Sequence, residues 1–248
     1  MILKLLILST EFPPGPGGIG THAYQLARHM CQLGWHVIVV AVQDYVSVHE
    51  AQAFNAHQHF EIIRLPSHPI IPFKYMLRMG VIWQRIRKSK PDAILATGER
   101  AVWVVAALKG HIPAVGVGHG TEFGLNGWAG NLNRWAFNRL DHVVCVSRFT
   151  WNMMAQRGIT PRQSSIIPNG ADESHFGPVD HEVSGKLRSS LGFPTSPLIL
   201  TVGNVTERKG QHVIIRALPD VLREVPDVHY LIAGLPTMKG QLADLAAS

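Results

Sequence analysis

Cysteine is nearly absent: the 248 residues contain only Cys31 and Cys145. Two cysteines cannot staple a domain of this size, and each sits in an apolar run, so both read as buried thiols of a reducing compartment. The 14 histidines are scattered, without H-x-x-x-H or Cys/His spacing, and no metal-ligand set is predicted. Long apolar runs are missing too, and none approaches the ~20 residues that span a bilayer. No basic region precedes Ile2 and no small-residue cleavage site follows, so the opening reads as a strand and not a signal peptide. Charged residues are sparse at 16%, against 46% hydrophobic, the balance of a globular protein with an ample core. The expectation is a cytoplasmic chain.

Charge is unevenly spread. Residues 1–175 hold 16 Lys and Arg against 10 Asp and Glu, whereas residues 176–248 hold seven of each. Lys74 to Lys90 alone carries six cations and no acid. Within it Tyr75, Met76, Met79, Ile82, Trp83 and Ile86 recur at helical spacing. This predicts an amphipathic helix with its apolar face on the core and its cations outward. Docking of that helix on an anionic membrane is the sharper alternative. The aromatics are not interleaved with the charges as a nucleic-acid stacking platform requires, so no nucleic-acid partner is expected.

What the chain does have is glycine in one telling place. A strand-like run, Ile2 to Leu8, leads into PPGPGGIG (Pro13 to Gly20), and a helix is predicted from near Thr21. Backbone N–H groups then gather at a positive helix end with few side chains in the way, which suits a phosphate or another polar ligand. A plain strand-to-helix turn explains the same glycines. Gly15, Gly17 and Gly20 also match G-x-G-x-x-G, with Asp44 as the sole candidate for a ribose-binding acid. Ser9 to Pro14 makes the turn long for a dinucleotide site, which counts against a nicotinamide or flavin.

Strands are predicted at His36 to Val42, Phe60 to Leu65, Ala93 to Thr97, Ala114 to Val117, His142 to Val146 and Ser165 to Ile167. A helix over His22 to Leu33 ends at Gly34. Continuous apolar strands alternating with helices predict an α/β, doubly wound parallel sheet. Residues 176–196 read as a linker with a helix near Glu182 to Leu191. The pattern restarts with a strand at Leu198 to Val202, a helix at Gln211 to Leu222 and a strand at Val228 to Ala233. The predicted domains are therefore 1–175, a Rossmann-like unit, and 197–248, the first half of a second one.

Five segments in order, GPGGIGTHAYQLARHMCQLGWHVIVV, GVGHGTEF, VVCVSRFT, IIPNGAD and VGNVTERKG, resemble the retaining nucleotide-sugar glycosyltransferases of family 4. The resemblance implies a GT-B fold of two Rossmann-like domains, transfer of a sugar from a nucleotide-diphosphate sugar to a hydroxyl acceptor, and no required metal or other cofactor. It also implies continuation past Ser248 into a pair of donor-binding glutamates. The 248 residues alone are accordingly expected to bind nucleotide sugar poorly and to turn over negligibly.

By the same resemblance, Gly17 and Gly18 approach the donor diphosphate and reacting sugar, and His119 stands beside the transferred sugar. Arg208 and Lys209 grip the phosphates, where cations answer the charge left on the departing diphosphate. Thr21, Glu122 and Ser147 border the cleft, although Glu122 and Ser147 equally suit helix capping. Asn169 and Gly170 match a turn before the linker, read as needing positive φ. Asn204 stands where many relatives have arginine, so one phosphate contact is weaker or differently supplied. The partners implied are a nucleotide sugar and a glycan or lipid-linked acceptor, with peripheral contact at the inner membrane face through Lys74–Lys90. Two rivals remain: a non-catalytic acceptor- or membrane-binding module, and a nucleotide-sugar epimerase of the same architecture.

Overall fold

The computed structural model describes residues 2–42, 46–173 and 176–235. Asp44, the candidate ribose acid, lies outside the described residues. The chain forms two compact units, Met1–Gly170 and Ala171–Ser248.

In the first unit seven strands build one parallel sheet: β1 (Lys4–Ser9), β2 (His36–Val42), β3 (Glu61–Leu65), β4 (Ala93–Thr97), β5 (Ala114–Gly118), β6 (His142–Cys145) and β7 (Ser164–Ile166). Their order is β3-β2-β1-β4-β5-β6-β7. The chain winds outward from β1 to β3, then crosses back to β4 and winds the other way. The loops leaving β1 and β4 therefore diverge, and the crevice at their carboxyl ends is where such sheets bind ligands. Register alternates cleanly along β1. Leu5 and Ile7 pack under helices α1 (Gly18–Gln32) and α2 (Val48–Ala56). Leu6 and Leu8 pack on the opposite face, under α3 (Ile71–Ser89), α4 (Glu99–Leu108), α5 (Gly127–Asn138) and α6 (Arg148–Gln156). Leu6 and Ile7 are fully buried. Truncating either to alanine costs about 2–5 kcal/mol, the usual range for a closed core site.

Three expectations need correction. Helix α1 starts at Gly18, inside the glycine stretch, not near Thr21. Helix α3 buries Arg78, Ile82 and Ile86. Tyr75, Met76 and Trp83, assigned to its core face, are exposed. Ile82 and Ile86 share the turn that meets the sheet, and Arg78 joins them because its Nε donates to the Pro66 carbonyl at 2.9 Å. Trp83 instead lies on the outer surface beneath the guanidinium of Arg87, 4.8 Å from its ring centroid. Finally, neither Asn169 nor Gly170 adopts positive φ. The chain leaves β7 without a turn there, so no left-handed residue is required.

In the second unit β8 (Leu198–Val202) and β9 (His229–Ala233) pair in parallel around α8 (Gln211–Glu224), preceded by α7 (His181–Ser190). Both cysteines are free thiols. Among the described residues no helix is long and apolar enough to cross a membrane.

Candidate functional site

The site of the first unit is built from the ends of β1, β4 and β5. Gly17 is the N-cap of α1, with φ 141° and no side-chain cap. A Cβ there would lie 1.9 Å from Glu11 Oε2, so the position needs glycine on two counts. At Gly18 a Cβ would meet nothing within 4 Å, which leaves the helix start open on that side. Glu11, which sequence reasoning missed, reaches over this start and accepts the Gly20 N–H. Burial nevertheless raises its carboxyl above the ordinary range, outweighing that bond. The glycine stretch is thus less vacant than expected, because one of its amides is taken by an acid of the same loop.

His119 follows β5. Its Nε2 lies 2.8 Å from Thr97 Oγ1 at the end of β4. Its backbone N–H donates to Glu122 Oε1 at 2.5 Å. The ring of His22, from α1, makes a T-shaped contact with that of His119, with centroids 5.0 Å apart and planes at 86°. Burial, and then the neighbouring His22, pull the His119 ring down to about 4, so it is neutral at pH 7. Glu122 is only 2% exposed. Its carboxyl is raised, chiefly by burial, with Glu99 adding a smaller push. His119 is thus flanked by Thr97, Glu122 and His22, the last of which belongs to the helix that begins after Gly17.

Beside Glu122 opens a cavity of about 340 Å³. Val42, Leu65 and Ile82 give it an apolar end, and Glu11, Glu99, Arg100 and Glu122 a polar one. His119 is not among its walls. Arg64, on β3, also escaped notice. Its Nη2 donates to the Pro13 carbonyl at 2.5 Å and to Asn55 Oδ1 at 2.8 Å, and its guanidinium lies 5.4 Å from the Phe12 ring centroid. It ties β3 to the glycine loop across 51 residues of sequence, a separation no local pattern reveals.

The remaining expected residues fall elsewhere. Thr21 Oγ1 donates to the Gly17 carbonyl at 3.0 Å, one turn back in its own helix. Ser147 caps α6, its Oγ accepting the Thr150 N–H at 3.0 Å. Asn169 is exposed after β7. In the second unit Arg208 and Lys209 sit in a 3-10 turn, Glu207–Lys209, just before α8. Lys209 folds its amine over Gly203. The Asn204 carbonyl accepts from Gln211 Nε2 at 3.2 Å. Among the described residues no three His, Cys, Asp or Glu are grouped to hold a metal ion.

Backbone amides, a neutral histidine and buried carboxyls at the switch point of a parallel sheet suit a sugar and its phosphate, and comparison with known proteins gives the same class. Residues 16–175 match Glycosyltransferase Family 4, and residues 184–248 match Glycosyl transferases group 1. The chain belongs to Glycosyltransferase Family 4. It is 25% identical over 264 residues to the GDP-mannose-dependent alpha-(1-6)-phosphatidylinositol monomannoside mannosyltransferase of Mycolicibacterium smegmatis, covering 98% of this chain and 65% of that protein. It is also 25% identical over 250 residues to the phosphatidylinositol N-acetylglucosaminyltransferase GPI3 subunit of Saccharomyces cerevisiae, covering 94% and 53%. The chain thus spans less than two thirds of either relative. Among solved structures, Anabaena HepE in complex with UDP-glucose aligns with a TM-score of 0.77 at 20% identity, over 99% of this chain and 65% of that one. The UDP-GlcNAc 2-epimerase of Neisseria meningitidis aligns at 0.61 with 13% identity, over 99% and 70%. The expected GT-B-type α/β fold is the one these neighbours share.

Proposed function

We propose that this chain supplies the acceptor-side domain and the start of the donor-side domain of a retaining glycosyltransferase. The reaction moves a sugar from a nucleotide-diphosphate sugar to a hydroxyl of a lipid-linked or glycan acceptor. The bond from the anomeric carbon to the diphosphate breaks and a bond to the acceptor oxygen forms. The acceptor proton leaves with the diphosphate. One observation carries the reading: His22 of α1 packs against neutral His119, whose N–H is held by buried Glu122, and Glu122 lines a cavity of about 340 Å³. The mannosyl- and N-acetylglucosaminyltransferase relatives support it, and family membership favours transfer over epimerisation.

In this reading His119, uncharged at neutral pH, hydrogen-bonds a sugar hydroxyl and does not act as a proton donor. The amides at Gly17 and Gly18 answer the charge developing on the leaving diphosphate. That division of labour asks for no resident metal, and transfer is expected to persist in EDTA. The exposed Tyr75, Met76 and Trp83 of α3, among its cations, form the surface that would rest on an anionic bilayer while a lipid-linked acceptor enters. Co-sedimentation with liposomes that ignores anionic lipid content would remove this contact.

The experiment is direct. Because the 248 residues alone are expected to turn over negligibly, a chain with its donor-side domain completed is incubated with radiolabelled GDP-mannose, UDP-N-acetylglucosamine or UDP-glucose and a membrane lipid extract, and label in the lipid phase is followed. Label moving to lipid and lost in His119→Ala supports the reading. Donor consumed to a free epimer, with nothing transferred, overturns it.

A further inference from the structure

His119 has a partner that neither the motif pattern nor the family match assigns. His22 lies on α1 just past the glycine loop, half-buried, and its Nδ1 is buried with no hydrogen-bond partner. The ring makes a T-shaped contact with that of His119 at 5.0 Å. On its other side His119 is held by Thr97 Oγ1 at Nε2, and its backbone is held by Glu122. A ring gripped at one nitrogen can still swing about that bond. The near-perpendicular contact with the His22 ring is what limits that swing. We propose that His22 is a positioning residue, fixing the plane of the His119 imidazole and coupling its charge to the start of α1. This deepens the glycosyltransferase reading and rests on it for its consequence in catalysis.

Several features make His22 more than packing. A buried ring nitrogen without a partner carries a desolvation cost that an apolar ring of the same shape would avoid. Two imidazoles this close do not both hold a proton comfortably, so the pair carries at most one over the neutral range. Among the described residues, the groups facing His119 come from three elements. They are His22 from α1, the Thr97 hydroxyl from β4 and, through the backbone, Glu122 from the 3-10 turn Thr121–Gly124. Glu99 at the start of α4 acts on Glu122. Glu11 stays on the far side of the loop, over Gly17. The only cationic partner His119 can acquire among these is His22. Burial lowers the proton affinity of both rings, and His22 lowers that of His119 further.

The test uses His22→Phe, which keeps an aromatic ring but no ionisable nitrogen, and His22→Asn, which keeps a polar group but no wedge. In the 248-residue chain, the His119 imidazole proton is titrated by NMR alongside thermal melting. In His22→Phe the His119 midpoint is expected to rise, because the like charge is gone while burial remains. In His22→Asn the His119 resonance is expected to broaden as the ring loses its fixed plane. A His119 midpoint and linewidth unchanged in both variants would overturn the proposal. Where His22→Phe fails to fold, His22→Asn decides. For transfer, kcat is expected to fall roughly tenfold to a hundredfold in His22→Asn with donor KM nearly constant, the signature of lost orientation. Absence of any sugar transfer by a wild-type chain with its donor-side domain completed would count against the functional reading and leave the NMR result standing.

Discussion

Helices α1 and α6 both begin at the carboxyl edge of the same sheet, yet they finish their amino ends differently. Helix α6 is closed by the residue just before it, Ser147, whose hydroxyl takes the Thr150 N–H. Helix α1 has Gly17 in that place, without a side-chain cap, and only Glu11, reaching from earlier in the loop, takes an amide. A serine cap satisfies the helix permanently and serves stability. A glycine start leaves amides that a ligand can use, guarded by one titratable acid. In the second unit α8 repeats the open pattern, starting from Gly210 in the left-handed region directly after Arg208 and Lys209. Under the proposed function, the contrast separates helix ends that hold the fold from those that meet the substrate.

The contrast breaks hardest at Gly17. Gly17→Val places a branched side chain at φ 141° and against Glu11 Oε2. The loop must move, and sugar transfer is expected to drop by more than about a hundredfold, in line with displaced reacting groups. Melting should also fall. Wild-type transfer in Gly17→Val would mean that the open helix start takes no part. His119→Ala comes next, with a loss of about a hundredfold in kcat, the scale of a positioned polar group in the transition state. Its pH signature is equally specific. His119 stays neutral down to about 4 when folded but protonates near 6.5 when unfolded. The unfolded chain therefore takes up the proton first. The stability present at pH 7 is lost as pH falls from about 6.5 toward 4. His119→Gln should flatten that part of the melting profile, and a slope that survives the substitution would assign it to another group. At α6, Ser147→Ala should cost about 1 kcal/mol of stability and leave transfer untouched.

Much of this contrast could be read from the chain before any coordinates. The sheet was legible because parallel strands are continuous apolar runs, as in Leu5 to Leu8 and Val37 to Ala41. The place of His119 at the end of β5 was legible from the strand before it, while its role came only from the family resemblance. Helix α2 went unread, having a single buried residue, Ala51, and so little periodicity. Its signal was local, the capping box of Ser47 with Glu50, which is present in full. The outer face of α3 was misjudged because an arginine at a core position, satisfied by the Pro66 carbonyl, breaks the rule that cations point out. Glu11, His22 and Arg64 act through contacts of shape and distance. Arg64 meets Pro13 only because β2 lies between β1 and β3.

The finest discrimination lies at Glu11, where cap and ligand compete for the same helix end. Its carboxyl is raised by burial, so the group gains its charge only as pH climbs past the ordinary carboxylate range. A charged Glu11 complements the positive end of α1, but it also repels a diphosphate brought to the same amides. Glu11→Gln keeps an acceptor oxygen for the Gly20 N–H and removes the charge. Donor KM measured at pH 8 is therefore expected to fall by about two- to fivefold, the size of one charge at a helix end. At a second, acidic pH low enough for the wild-type acid to take up its proton, the two proteins should converge. A variant that binds donor more weakly, and equally so at both pH values, would make Glu11 a ligand of the sugar and not a guard of the helix. In that outcome the open start of α1 would owe its selectivity to Glu11 itself, and the distinction from α6 would rest on which partner the acid serves.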